Sequence, residues 1–379
     1  MNSMNKILSL IFCISNCSML LLSNASGMES QVEHSPVVKE LQKIVESNED
    51  LRLNLDKALK EQKEGSYWYN KKIEDVFSFF DDWLVFLPTT DNPEKYSYLF
   101  NEIYRRNQNI RMLLRQPLFR DWLNKFVTAR GNFMDSEKSV KNIKEWVEDP
   151  TVNIGEYEVP SGGFKSFDDF FTRKIKSGAR PIYMSANDSI ITSPADCTIS
   201  KIHGKLNTEA IFEVKDEIFD VKKLLDNSTL ADRFLNGDGA ICFLMPSDYH
   251  RFHSPVNGKI IEVKQLGGLY FAAQGWTNYF FERRRGYFLI ETSRYGIVGV
   301  VPVGLADISS ISFVRKENDV VQKGDELGFF AYGGSAIVLL FEPNRLMDPI
   351  YVNNTVYEVS NVKVKMGQKI GSLKDESMK

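Results

Sequence analysis

The sequence predicts an α+β protein, with a helical N-terminal region packed on a β-rich, sandwich- or barrel-like domain. Before Val152, apolar residues recur at spacings of three and four, the period of an amphipathic helix. Glycines and prolines then cluster between Gly155 and Gly163, which is typical of a linker. From Ile182 onward, short apolar runs alternate with turn signals, which is typical of a domain built from many short strands.

The N-terminal segment has the features of an export signal. Lys6 precedes an apolar stretch, Ile7–Leu22, and Ser23–Ala25 supplies small residues at the spacing that a signal peptidase requires. We therefore expect residues 1–27 to be a signal peptide and the protein to be exported, to the periplasm or the extracellular space, or to enter the secretory pathway. An uncleaved N-terminal anchor is the alternative.

Composition narrows the classes of protein. The 379 residues carry a net charge of −3 with both signs well mixed, so nothing indicates a nucleic-acid partner. After removal of the predicted signal peptide, the cysteines that stay are Cys197 and Cys242. Two cysteines are too few for a disulfide framework and are compatible with one bridge or with two buried thiols.

Residues 28–151 form the predicted helical region. Pro36 stands where the first turn of a helix tolerates proline, and the apolar positions after it have helical spacing. The further predicted stripes are Ile73–Leu87, which stops at Pro88, then Glu94–Arg115 and Leu118–Ala129, which Pro117 separates, and Val140–Val147. Aromatic stripes of this kind favour a core, and a membrane-surface or partner face is the alternative.

The β-rich domain, residues 152–379, contains Gly333–Ser335 directly before the apolar run Ala336–Phe341. This pattern predicts a turn followed by a buried strand. Because glycine has no side chain, the carbonyl of Gly334 is sterically open next to the hydroxyl of Ser335. The predicted turn therefore places a serine hydroxyl beside an unshielded carbonyl.

Two earlier segments supply a carboxylate and two imidazoles. Ser193–Asp196 is held extended by its proline and presents Asp196, although an ordinary turn aspartate is the alternative. Asp248–Gly258 contains His250 and His253, which face opposite sides if they lie in a strand, so we expect them to have different roles. A zinc site is disfavoured, because nearby prolines oppose a helix and a third ligand is missing.

Asp196, His253 and Ser335 together supply a group that orients a base, a base and a nucleophile. A secreted hydrolase would use such a trio. The Gly-x-Ser-x-Gly elbow of many hydrolases, however, needs glycine where this chain has Ile337, and the serine here precedes a strand instead of a helix.

Taken in order, these segments resemble the phosphatidylserine decarboxylase family. Phe167–Ile182 resembles the family signature Phe-Phe-x-Arg-x-Leu-Lys-x-Gly-x-Arg-Pro. Ser193–Asp196, Asp248–Pro255 and Lys323–Ser335 then follow in the family order, and the resemblance covers Phe164–Glu342.

The resemblance implies a self-processing, pyruvoyl-dependent enzyme. By similarity, Asp196 orients His253, which takes the proton from Ser335, and Ser335 attacks the carbonyl of Gly334. The resulting ester undergoes β-elimination, which leaves a β chain that ends at Gly334 and an α chain that starts with a pyruvoyl group made from Ser335. His250 is placed near the decarboxylation centre, as a proton donor or a substrate-positioning group.

The implied substrate is phosphatidylserine, converted to phosphatidylethanolamine and carbon dioxide, with a peripheral membrane contact and a homodimer both allowed. Leu269–Gln274 and Phe280–Arg285 depart from the phospholipid enzymes, and Tyr287–Glu291 is similar to a soluble branch that acts on free amino acids such as tryptophan. A decarboxylase of a free aromatic amino acid is therefore the alternative.

Three further departures lie close to the predicted site. Ala336 follows Ser335 where the family has serine or threonine, Asn257 stands where aspartate is common, and Cys197 where glycine is common. Ala336 and Asn257 support a third alternative, a relative that no longer processes itself and serves as a binding or structural protein.

Overall fold

The computed structural model describes residues 33–106, 109–110, 116–204, 211–212, 217–218, 220–268, 282–308, 310–347, 351–352, 355–356 and 362–375. The predicted signal peptide, the departure Leu269–Gln274 and Phe280–Phe281 lie outside these ranges. Within them, no helix has the length and apolar character needed to cross a membrane.

The N-terminal region is helical, as predicted. Its helices are α1 (Pro36–Ser47), α2 (Glu49–Lys60), α3 (Ile73–Leu84), α4 (Lys95–Arg106), α5 (Pro117–Met134) and α6 (Ile143–Glu148), with 3₁₀ turns at Glu137–Asn142 and Ile154–Glu156. Helices α1 and α5 both begin with a proline, which lacks the N–H that a first helical turn leaves unpaired. The predicted aromatic stripes are buried: Phe80 of α3 meets Trp122 of α5 edge-on at 4.8 Å between ring centroids.

One hydrophobic core joins this helical region to the β-rich domain. It contains Trp83 and Trp122, the short helix α7 (Phe167–Phe171), and also Ala331 and Tyr332. The last two residues directly precede the strand of Ser335. The helical region therefore packs against the approach to the predicted cleavage site, and the boundary between residues 151 and 152 stays a prediction.

The rest of the chain is mostly strands. They are β1 (Ile190–Thr192), β2 (Cys197–Gly204), β3 (Ile211–Phe212), β4 (Glu217–Ile218), β5 (Asp238–Leu244), β6 (Arg251–His253), β7 (Gly258–Leu266), β8 (Arg285–Glu291), β9 (Ile297–Asp307), β10 (Ile311–Phe313), β11 (Val320–Val321), β12 (Glu326–Phe330), β13 (Gly333–Phe341), β14 (Tyr351–Val352), β15 (Thr355–Val356), β16 (Val362–Val364) and β17 (Lys369–Ser372). A short helix, α8 (Val221–Leu224), and a 3₁₀ turn, Ala231–Phe234, lie between β4 and β5.

The strands confirm the α+β class, but the barrel-like expectation is wrong. Among the described residues, eight antiparallel strands form one open sheet in the order β11-β7-β8-β9-β13-β5-β2-β16, whose edge strands do not pair. A three-stranded sheet, β10-β12-β6, shares a core with it, since Phe252 and Leu327 pack in the same cluster as Ile337 and Leu339. The two sheets therefore face each other, as in a sandwich.

Strand β13 lies in the middle of the large sheet, between β9 and β5, and all nine of its residues are buried. The predicted turn at Gly333–Ser335 is wrong, because these residues are the first three of the strand. Gly333 pairs with Asp307, so the neighbouring strand β9 extends the ladder beyond the apolar run. The chain thus places its serine inside a sheet instead of on an exposed loop.

Candidate active site

The backbone of β13 changes its pairing at the Gly334–Ser335 bond. The register with β9 shifts between these two residues, which marks a β-bulge or a similar irregularity. Gly333, just before it, has a φ of 141°, a conformation open to glycine but not to residues with a side chain. The hydroxyl of Ser335 is buried, 3.4 Å from the carbonyl oxygen of Gly333. The nucleophile predicted from sequence therefore lies at an irregular point of the strand, against its own preceding backbone.

His253 lies at the end of β6, and both of its ring nitrogens have partners. Nδ1 is 2.8 Å from the carbonyl oxygen of Gly324, and Nε2 is 3.0 Å from the hydroxyl of Tyr249. Burial lowers the pKa of His253, although the carbonyl of Gly324 opposes this change. A neutral imidazole that donates from Nδ1 to a carbonyl must accept at Nε2, so the tyrosine hydroxyl is the donor.

The predicted contact between Asp196 and His253 is absent from the hydrogen bonds of the described residues. Asp196 instead accepts from Arg180, at 2.9 Å from Nε and 2.5 Å from Nη2, and from the backbone N–H of Met366 at 2.8 Å. Burial opposes the charge on Arg180, but the hydrogen bonds and charge of Asp196, together with Tyr157 and Glu156, outweigh burial and raise the pKa of Arg180. The link to His253 runs through the backbone, because the N–H of His253 donates to the carbonyl of Pro194 at 2.8 Å.

His250 precedes β6 and is completely buried. Its Nδ1 is 3.0 Å from the carbonyl oxygen of Asp248, and its ring stacks on Phe171 at 3.8 Å between centroids. Burial and then the charge of Arg173 lower its pKa well below the usual value, so the imidazole is neutral. Its Nε2 has no hydrogen-bond partner within the described part of the chain. Because Nδ1 carries the proton, Nε2 presents an unused lone pair.

Comparisons with known proteins follow the same motifs. A family model described as phosphatidylserine decarboxylase matches residues 167–372, more than half of the 379 residues, and this match contains Asp196, His250, His253 and Ser335. The phosphatidylserine decarboxylase proenzyme of Fusobacterium nucleatum is 34% identical over 251 residues, which are 65% of this chain and 82% of that protein. The chain belongs to the phosphatidylserine decarboxylase family.

Two other relatives show how the family varies in length. The phosphatidylserine decarboxylase proenzyme of Clostridium novyi is 33% identical over 252 residues, which are 65% of this chain and 84% of that protein. The phosphatidylserine decarboxylase proenzyme 3 of Schizosaccharomyces pombe is 37% identical over 255 residues, which are 66% of this chain but 26% of that protein. The chain thus spans about a quarter of the fission-yeast relative and most of the two bacterial ones.

Three residues at the site were not predicted from the sequence. Arg180 lies in the family signature, and a buried aspartate could have signalled the need for a cation. Tyr249 lies next to His250 in the same motif, so a hydroxyl within reach of an imidazole could have been suspected. The carbonyl of Gly324, in contrast, gives no signal, because every residue has a carbonyl.

The structure shows where two of the departures from the family pattern, Ala336 and Asn257, lie and what they contact. Side chains alternate along a strand. Ile337 belongs to the core between the two sheets, whereas Ala336 belongs to the core on the opposite face. A hydroxyl at position 336 would therefore point away from the face of Ser335. Asn257 donates to the carboxylate of Asp188 at 2.7 Å and accepts from the N–H of Lys323 at 2.7 Å, so it joins two loops.

Cys197, the third departure, is buried, and so is Cys242; both are free thiols. Of the two arrangements left open by the sequence, the structure therefore has the two buried thiols. Burial and then the nearby Cys242 raise the pKa of Cys197 well above its usual value, which keeps this thiol protonated and unreactive. In the described ranges, no group of three or more histidine, cysteine, aspartate or glutamate side chains could hold a metal ion.

Proposed function

We propose that this chain is a proenzyme that cleaves itself between Gly334 and Ser335 and then decarboxylates phosphatidylserine with a pyruvoyl group made from Ser335. The observation that supports this most is the register shift at the Gly334–Ser335 bond, in a chain of the phosphatidylserine decarboxylase family. A β-bulge bends the strand and re-aims the groups beside it, so the Gly334–Ser335 bond lies where the regular geometry of the ladder is interrupted.

The cleavage uses atoms that the chain itself supplies. Oγ of Ser335 attacks the carbonyl carbon of Gly334, the C–N bond breaks, and the hydroxyl proton passes to the released amine. An ester now joins the two residues. Loss of the proton on Cα of Ser335 then breaks the Cβ–Oγ bond and releases Gly334 as a carboxylate. The remaining enamine takes up one water, loses ammonia and becomes the pyruvoyl group.

His253 is the proposed base for the first step, by its similarity to the family. Its lowered pKa keeps it neutral near pH 7, and its Nε2 is the nitrogen with a lone pair. That lone pair is bound by Tyr249, so the tyrosine hydroxyl must turn away before His253 can accept a proton. Asp196 supports the base indirectly, through the backbone, because the N–H of His253 donates to the carbonyl of Pro194.

His250 is the proposed neighbour of the pyruvoyl group, by its similarity to the family. Once formed, the pyruvoyl ketone supplies an electrophile that condenses with the substrate amine and accepts the electron pair left by carbon dioxide. The unpartnered Nε2 of His250 is a buried acceptor that a native structure needs a reason to keep. Nε2 can take up the proton that the substrate ammonium releases on condensation and return it to the carbon that loses carbon dioxide, while stacking on Phe171 fixes the plane of its ring.

The first test is the intact mass of the purified full-length chain beside Ser335→Ala. We expect two wild-type fragments, divided at the Gly334–Ser335 bond, with the smaller one lacking a free N-terminal amine, and a single uncut mutant chain. An uncut wild-type chain would overturn the proposal and leave the processing-dead relative. Labelling of Ser335 by a fluorophosphonate would favour the hydrolase instead.

The substrate is proposed from the names of the relatives. Carbon dioxide release is measured with vesicles that contain phosphatidylserine and, separately, with free tryptophan, tyrosine and phenylalanine. Release from the vesicles alone supports the phospholipid, and release from a free amino acid alone replaces it with the soluble alternative. A lipid substrate implies contact with a membrane surface, which co-sedimentation with the same vesicles measures.

The proposed compartment and assembly need separate measurements. We propose that residues 1–27 direct export and are then removed, on the strength of the Lys6, Ile7–Leu22 and Ser23–Ala25 pattern. Mass spectrometry of the protein from exported and cell-bound fractions would find the mature N-terminus near residue 28, and a retained segment would indicate the anchor. Light scattering would test the proposed homodimer.

A further inference from the structure

The helical region touches the predicted cleavage site through Tyr332, three residues before Ser335. Tyr332 is buried in the core that the helices share with α7, and its hydroxyl donates to the carbonyl of Pro93. Its backbone N–H donates to the carboxylate of Asp168 at 2.8 Å. The chain that enters β13 is therefore held at its side chain by the helical region and at its backbone by α7.

A buried ion pair makes a second connection. Arg130, on α5, is fully buried, and its Nε lies 3.3 Å from Oδ1 of Asp307, the last residue of β9. The other carboxylate oxygen of Asp307 lies 3.3 Å from Nε1 of Trp83 on α3. Nη1 of Arg130 donates to the carbonyls of Leu84, at 3.2 Å, and Phe86, at 2.7 Å. Two helices thus hold both oxygens of a single carboxylate.

Asp307 stands directly opposite Gly333 in the β9–β13 ladder. Its φ is 56°, in the left-handed region that few residues other than glycine, asparagine and aspartate adopt. Both residues that open this end of the ladder therefore have unusual backbones, and the register shift follows one residue later, between Gly334 and Ser335. A strained conformation persists only where its surroundings hold it. At Asp307, those surroundings are Arg130 and Trp83.

Stability alone does not account for Arg130. Burying an ion pair costs desolvation that its attraction often fails to recover, and apolar residues of similar volume frequently do as well. Nη2 of this arginine also lacks a hydrogen-bond partner in the ranges that the structure describes, which adds to the cost. The residues matched by the family model, 167–372, include Asp307 and Gly333 but neither Arg130 nor Trp83. The helical region therefore adds something to this site that the matched part of the family does not supply.

We propose that Arg130 is a positioning residue for self-cleavage. Through Asp307 it fixes the backbone opposite Gly333, and this holds the irregular Gly334–Ser335 bond in the conformation that Ser335 attacks. The helical region is then a built-in activator of its own precursor. This inference rests on the proposed function, because it concerns the same cleavage.

The experiment follows cleavage of the full-length chain after a short pulse of cell-free synthesis. We expect Arg130→Gln to lower the first-order rate constant at least about tenfold, which corresponds to ~1.4 kcal/mol in the barrier. Arg130→Lys keeps a cation but not the forked donors, so it recovers part of the rate. Guanidinium added to Arg130→Ala is expected to raise the rate, and ammonium at the same ionic strength is not.

A matched control separates positioning from general stability. Leu41→Ala creates a cavity in the same core from α1, and it is compared at a temperature where its folded fraction equals that of Arg130→Gln. We expect it to cleave at the wild-type rate. Equal slowing in both variants would overturn the inference, since any damage to the core would then suffice.

A double variant covers the case in which Arg130→Gln fails to fold. Arg130→Met with Asp307→Asn removes both charges and keeps a residue that tolerates left-handed backbone, so folding recovers while positioning does not. Cleavage of this folded double variant at the wild-type rate refutes the positioning role.

Hydroxylamine, which cuts an ester but leaves peptides intact on this timescale, shows whether the slow step comes before or after the ester forms. Fragments released from Arg130→Gln as fast as from wild type would mean that attack is unaffected and the inference is wrong.

The two hypotheses fail differently. An uncut wild-type chain defeats the proposed function before any variant is made. A cut wild-type chain with an equally fast Arg130→Gln defeats only the positioning role.

Discussion

Two histidines flank the short strand β6: His250 directly precedes it and His253 ends it, and their hydrogen-bond partners differ. His250 and His253 both donate from Nδ1 to a backbone carbonyl, and burial lowers the pKa of both. They differ at Nε2, which accepts from Tyr249 in His253 but has no partner within the described ranges in His250. With the same tautomer, the Nε2 lone pair accepts a hydrogen bond in His253 and accepts none from the described residues in His250. Burial is common to both histidines, so the partner of Nε2 separates their roles.

The largest expected effect comes from removing either imidazole. We expect His253→Ala to slow self-cleavage by about 10²–10⁴-fold, the usual contribution of a general base. His250→Ala is expected to cleave at nearly the wild-type rate and then to lose carbon dioxide release by a similar factor. Intact mass over time measures the first step, and released carbon dioxide measures the second.

His34→Ala is the matched control, since this histidine pairs with Asp81 at 2.6 Å in the helical region. It should change neither step. If His250→Ala stays uncut while His253→Ala is processed, the two roles are exchanged and the comparison must be reversed.

The second-largest expected effect comes from removing Arg180, the cation that is bound to the buried carboxylate of Asp196. Arg180→Leu leaves the carboxylate of Asp196 buried without its cation, which should lower the free energy of unfolding by about 3–5 kcal/mol. Urea unfolding in the Ser335→Ala background, where the chain is uncut, measures this change. Lys60→Leu removes an exposed ion pair with Asp56 and should cost less than about 1 kcal/mol. Equal losses in the two variants would show that burial of Asp196 is unimportant.

A pH dependence is expected on the His250 side, where α7 carries both Phe171 and Asp168. Burial, and then the nearby charges of Asp135 and Asp169, raise the pKa of Asp168 to about 7, although the N–H of Tyr332 opposes this. The folded chain therefore keeps a proton that the unfolded chain releases between about pH 4 and pH 7. The contribution of Asp168 to stability accordingly falls as pH rises through this window, by at most ~1.4 kcal/mol per pH unit.

Asp168→Asn removes that titration while keeping an oxygen that can accept from Tyr332. The difference in unfolding free energy between this variant and its parent should grow in favour of the variant from pH 4 to pH 7. Asp121→Asn, at an exposed position on α5 whose charge does not act on Asp168, is the control. A difference that is constant with pH would rule out Asp168 as the source.

The smallest expected effect tests the hydroxyl that distinguishes His253. Tyr249→Phe frees the lone pair of Nε2, and one hydrogen bond of about 1 kcal/mol corresponds to about fivefold faster self-cleavage. Tyr157→Phe removes another buried hydroxyl, 3.4 Å from Nη2 of Arg180, without touching His253. Slower cleavage in Tyr249→Phe alone would indicate that the tyrosine relays the proton instead of blocking it.

Much of the fold could be predicted from local pattern. The helical region follows from apolar spacing, and the start of α5 at Pro117 from the missing N–H of proline, whereas α3 ends at Leu84, before the predicted stop at Pro88. Residues 320–328 hold a Lys-Gly turn between two short apolar runs, a pattern that predicts two strands, and the structure has β11 and β12 there. These two strands nevertheless join different sheets, and residues 333–335 became strand instead of turn. Pairing depends on distant strands, so neither result could be read from local sequence.

The reactive groups can be listed from the sequence alone: an aspartate, two histidines and a serine after paired glycines, in an order that resembles one family. Which of these groups contact each other depends on how distant segments pack. Asp196 bonds to Arg180, and His253 bonds to the carbonyl of Gly324, which lies 71 residues away in the sequence. Asp307 bonds to Arg130, at a sequence separation of 177 residues. The physical reason is that side-chain type is written in the sequence, whereas backbone carbonyls and the burial of charges acquire their positions only when distant segments pack together.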